Sequence, residues 1–155
     1  MIEVSTHINA SPDAVWDLIG DPSRMGEWSP ECRRVRWIGP VSAPAVGARF
    51  KGYNRIGWRR WSTVSTISSY ETGREVAWDV AAGPLAVARW SYRLEPADGG
   101  CTLTESFEDR RGMLIKVIGS AARGVGDTET HNRAGMAQTL ANIKTAAETA
   151  TAPSA

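Results

Sequence analysis

Residues 10–28, ASPDAVWDLIGDPSRMGEW, carry two helix starts close together. Ser11 offers a side-chain oxygen to the orphan amides of a first turn, and Pro12 suits the first helical position, where no backbone donor is needed. Val15, Leu18 and Ile19 then share one face at helical spacing, and Gly20 ends the helix. Asp21 and Pro22 repeat the start signal for a second short turn that runs out near Trp28 and Pro30. Two short helices are therefore predicted, with a tryptophan in each region. Such rings either fill a core or border the mouth of a site. Trp16 is expected beneath the helix pair. Trp28, where the chain heads into the next strand, is expected at a pocket entrance.

On either side of this pair the pattern has a period of two. MIEVSTHI (1–8) alternates Ile2, Val4, Thr6 and Ile8 against Glu3, Ser5 and His7, so His7 faces solvent and takes no role. Further strand signals follow in RRVRWI (33–38), GARFKGYNR (47–55), RRWSTVSTISSY (59–70), REVAWDV (74–80), ARWSYRLEP (88–96) and CTLTESFED (101–109). The turn ADGG joins the last two as a hairpin. Alternation this regular, with short connections, predicts an antiparallel sheet of about six to seven strands with one covered face. After Asp109 the period becomes helical. GMLIKVIG (112–119) is apolar and bounded by glycines; its 113–122 region reads as a lid, a core helix or an interface. A longer helix follows, with Met136, Leu140, Ile143 and Ala147 on one stripe. It alone is long enough to cover the sheet, and the gap between the two is the natural place for a pocket. One domain over residues 1–150 is expected, with 151–155 as a disordered tail.

The bulk numbers bound the function classes. The chain has 155 residues and a formal net charge of +1, so nothing in the total calls for nucleic acid as a partner. Seven tryptophans are many for this length and suit a large core or an aromatic cavity. Cys32 and Cys101 have no metal-ligand spacing. No basic-then-apolar leader opens the chain and no run is apolar enough for stable membrane insertion, so a cytoplasmic, reduced protein is expected. Neither a phosphate-cradling loop nor a G-x-S-x-G elbow nor a zinc set is present, and no cofactor or metal is read.

The order of elements, with ASPDAVWDLIGDPSRMGEW, GARFKGYNR and the C-terminal GMAQTLANIK (135–144), resembles the START-like superfamily. It is similar in particular to the polyketide cyclase/dehydrase and lipid-transport group, over nearly the whole chain. The resemblance implies an α+β helix-grip fold, a curved sheet wrapped around a long C-terminal helix with two short helices after the first strand. It also implies a hydrophobic cavity between sheet and helix. Most such proteins bind apolar or aromatic small molecules; some catalyse cyclisation or dehydration of polyketides.

Several side chains could act in such a cavity. Phe50, Trp78, Trp90, Tyr92 and Phe107 are expected to point toward the long helix, with Met136 and Leu140 opposite and Trp28 at the entrance. Singly each reads as core packing; together they read as aromatic lining. Glu105 shares a face with Leu103 and Phe107, where an unpaired carboxylate is costly. It reads as a ligand contact or an acid, or else as half of an ion pair with an arginine. Asn54 reads as a polar cavity contact or as a turn residue. His131, near the start of the long helix, reads as an acid or base at the pocket edge or as an exposed helix residue. Three functions follow: a binder of a hydrophobic small molecule, a cyclase or dehydratase using Glu105 or His131, and an interaction module docking through 113–122. The ligand and the oligomeric state are not readable.

Overall fold

The period-two segments all become strands of a single sheet. The computed structural model describes residues 1–111 and 128–151. Strand β1 (Ile2–Ile8) is followed by helix α1 (Pro12–Ile19) and a 3-10 helix (Pro22–Glu27). Then come β2 (Cys32–Ile38), β3 (Arg49–Ile56), β4 (Arg59–Glu71), β5 (Glu75–Ala82), β6 (Leu85–Ala97) and β7 (Gly100–Asp109). Helix α2 (Thr128–Thr151) closes the described chain. All pairings are antiparallel, in the order β1-β7-β6-β5-β4-β3-β2. This is the expected α+β helix-grip arrangement. The 113–122 segment and residues 152–155 lie outside the described residues.

The two predicted caps form as written. The Ser11 side chain accepts from the Ala14 amide at 3.2 Å, and Asp21 accepts from the Ser23 amide at 2.8 Å. Gly20 ends α1 in ordinary right-handed geometry, so its glycine is required for a different reason. A Cβ there would stand 2.7 Å from the Trp16 ring. Trp16 is buried and its ring centroid lies 5.6 Å from that of Tyr70, as expected for a structural residue beneath the helix pair.

Met136, Leu140, Ile143 and Ala147 are all buried, so the stripe on α2 is its core face. Polar contacts fix the helix at both ends. Lys144 Nζ donates to the His7 carbonyl at 2.7 Å, and Glu148 accepts from the Asn9 amide at 2.8 Å. At the other end His131 Nε2 is hydrogen-bonded to Glu31.

Strand β4 carries a bulge between Ile67 and Ser69. Ile67 pairs with Trp78 and Tyr70 with Val76, so both point to the helix side although one number is odd and the other even. One extra residue, Ser68, makes that switch. A second register shift lies between β5 and β6 at Val80/Ala81.

Candidate functional site

Between the sheet and α2 lies a cavity of about 450 Å³, within the range of small-molecule sites. Strands β3 and β4 supply Phe50, Gly52, Asn54, Trp61, Thr63 and Ser65. Strands β5 to β7 supply Trp78, Val80, Trp90, Tyr92, Glu105 and Phe107, and α2 supplies Asn132, Gly135, Met136 and Thr139. The alternation predicted for each strand is what aims these side chains inward. The aromatic rings form two contacting groups in the wall. Phe50 and Trp78 have centroids 6.2 Å apart, Trp78 and Tyr92 5.6 Å, and Trp90 and Phe107 4.6 Å.

Two polar atoms break this wall. Glu105 is 5 % exposed, and its Oε2 has no hydrogen-bond partner among the described residues. Burial pushes its carboxyl up to about 8, opposed by a hydrogen bond from Tyr92, its cross-strand neighbour. At neutral pH Glu105 is therefore mainly a neutral acid with a proton to donate. The Tyr92 phenol is raised well above its ordinary range, chiefly by burial and then by the Glu105 carboxyl. The second atom is Nδ2 of Asn132, a buried donor without a partner among the described residues. Buried polar groups are almost always paired, so two orphans in one cavity are informative.

The ion-pair alternative for Glu105 finds no partner among the described residues. Arg111, which also lines the cavity, is taken by Asp109: Nε to Oδ1 at 2.9 Å and Nη2 to Oδ2 at 2.8 Å. Among the described residues no arginine is bridged to Glu105.

Most expected residues lie where the sequence puts them: Phe50, Asn54, Trp78, Trp90, Tyr92, Glu105, Phe107 and Met136 all line the cavity. Two do not. Trp28 is not in the wall, although its neighbours Ser29 and Pro30 are. Its indole N–H donates to the Leu18 carbonyl at 3.3 Å, and its own carbonyl accepts from Asn142 Nδ2 at 2.8 Å. It joins the helix pair to α2 instead of guarding an entrance. Leu140 is 1 % exposed and belongs to the filled core, because the cavity follows the previous turn of α2. His131 is neither free nor in the wall; Glu31 holds it. Asn132 was missed. It lies one turn before Met136 on the predicted stripe, where an apolar pattern hides an amide. Among the described residues no His, Cys, Asp or Glu side chains gather as a metal site, and no helix is long and apolar enough to cross a membrane.

With this geometry in view, the comparisons are direct. Residues 1–148 match the family model described as "Polyketide cyclase / dehydrase and lipid transport". The chain belongs to that family. It is 31 % identical to a polyketide-cyclase-like protein of Corynebacterium glutamicum, covering 92 % of this chain and 88 % of that one, with a TM-score of 0.62. Lower identities share the fold alone. The di-domain ARO/CYC protein of the steffimycin biosynthetic pathway is 15 % identical with a TM-score of 0.74, covering 96 % of this chain and 50 % of that one. Major latex-like protein 151 of Panax ginseng is 13 % identical with a TM-score of 0.67, covering 94 % and 95 %. No curated protein matches the sequence.

Proposed function

We propose that this family member holds an aromatic or otherwise apolar small molecule that carries oxygen functions, inside the cavity between sheet and α2. The observation that carries this reading is the pair of unpartnered buried atoms, Glu105 Oε2 and Asn132 Nδ2, set in an aromatic wall. Burial of an apolar body contributes about 25 cal/mol per Å² removed from water. A ligand carbonyl or hydroxyl would complete the two orphans and fix orientation. The family's scope, polyketide cyclisation or dehydration and lipid transport, fits the same ligand class. Cys32 and Cys101 are free and buried, which suits work in the cytoplasm.

The test is a titration with a hydroxylated polycyclic aromatic and, separately, with a fatty acid, followed by quenching of tryptophan emission. Binding is expected, and Trp78→Ala and Asn132→Leu should each weaken it at least fivefold with the fold retained. If the wild-type protein takes up neither probe, the reading fails.

One observation favours a second reading. An acid that titrates near pH 8 inside a ligand cavity is suited to general acid work in a cyclisation or dehydration. In that case Glu105→Gln abolishes turnover of a bound polyketide while its affinity survives. His131 is not assigned this role because Glu31 already occupies it.

A further inference from the structure

The net charge conceals a separation. Between Glu31 and Glu71 there is no Asp or Glu, yet this stretch holds eight of the eighteen Lys and Arg residues. The rest of the chain has ten cations and all seventeen carboxylates. The sheet then concentrates the eight. Phe50, Gly52 and Asn54 of β3 line the cavity, so the alternate residues Lys51, Tyr53 and Arg55 face the other side. There Arg36 stands opposite Lys51, and Arg55 opposite Arg60. Like charges directly across an antiparallel ladder destabilise it. Among the described residues no carboxylate is bridged to any of these four cations. Arg33, Arg55 and Arg60 border one surface pocket with Tyr53. At the tip of the same hairpin, Gly57 adopts φ +57° and the turn presents Trp58, 80 % exposed. The Arg59 guanidinium lies 4.8 Å from that ring's centroid.

An exposed indole among unpaired cations matches one environment, the headgroup layer of an anionic bilayer. There the ring finds its half-apolar zone and the arginines find phosphates. We propose that the β3–β4 hairpin docks this protein on an anionic lipid surface, with Trp58 in the headgroup layer and the Arg33–Arg55–Arg60 pocket around a lipid phosphate. A single ring at a turn apex favours a membrane over a nucleic acid strand, which needs a row of exposed rings for stacking. The purpose of docking rests on the ligand reading above, since the inner face of β3 and β4 is cavity wall. The docking itself does not depend on it.

Sedimentation of the full chain with vesicles tests this, using phosphatidylcholine alone and mixed with phosphatidylglycerol. The protein is expected to bind only the anionic vesicles, to leave them at high salt, and to show a blue shift in tryptophan emission that Trp58→Ala removes. Arg55→Gln and Arg60→Gln should each weaken vesicle binding about fivefold. The melting temperature of Arg60→Gln should not fall, because it removes a like-charge contact; Arg55→Gln also loses the bond from Arg55 Nε to the Gly57 carbonyl at 2.6 Å, which offsets that gain. Unchanged vesicle binding in these variants overturns the proposal. So does binding of heparin or of glycerol phosphate without binding of vesicles, which would assign the patch to a soluble anion. Trp78→Ala separates the two readings: it loses the cavity ligand yet still sediments with vesicles.

Discussion

The helix side of the sheet carries rings at both ends, and among the described residues the cavity lies at one of them. At the α1 end, Trp16 meets Tyr70, and Val15 and Ile19 are buried beside it. At the other end Phe50, Trp78 and Trp90 face about 450 Å³ of space. Aromatic content does not distinguish the ends. The covering element does: α1 lies on one, whereas small or polar residues of α2 (Asn132, Gly135, Thr139) lie over the other. The polar atoms follow the same division. Trp28, at the border of the hollow, has its indole N–H paired, whereas among the described residues Glu105 and Asn132 inside it each keep an atom without a partner.

This contrast can be broken most severely at the filled end. Trp16→Ala should cost about 4 kcal/mol in chemical denaturation, since surrounding groups collapse only partly into the space left. If the variant still folds, its ligand affinity should match wild type; a large affinity loss would show that the two ends are coupled. Glu105 comes next. It holds its proton more tightly folded than unfolded, so the stability it contributes is fully present below about pH 4.5 and is lost as pH rises through about 8. Stability measured across that window should fall in wild type by on the order of 5 kcal/mol and stay nearly flat in Glu105→Gln. Parallel pH profiles would mean the carboxyl is not desolvated. The smallest effect is at the border. Trp28→Ala should lower stability by about 1 kcal/mol, through its half-buried ring and lost hydrogen bond, with ligand affinity unchanged. Weakened binding at constant stability would return Trp28 to the mouth of the site.

Much of this was legible from spacing. Alternation aims Trp78, Trp90 and Phe107 inward, and the helical period picks out Met136 and Ile143, because both follow from backbone geometry alone. A cavity was expected from the gap between one long helix and the sheet and from resemblance to a family, but no period reports which part of a buried face is filled. Leu140 shows the limit: it shares the stripe of Met136 yet lies one turn beyond the hollow. Asn132 was hidden by its polarity and Trp28 by the assumption that a ring near a loop guards it. The basic face was hidden by a sum, because carboxylates elsewhere cancel the cations of residues 32–70 in the total.

The bulge at Ser68 has one more consequence. Upstream of it, odd-numbered β4 residues such as Trp61, Thr63 and Ser65 wall the cavity; beyond it, even-numbered Tyr70 meets Trp16. Ser68 thus works as a spatial frameshift between two messages written on one strand. Its removal would cost no side-chain hydrogen bond among the described residues, yet it would put one message out of phase. Either Tyr70 would turn from Trp16, or the wall residues would exchange places with Val64 and Thr66. A one-residue deletion there is a change of meaning for the whole strand, whereas most substitutions in it change a single word.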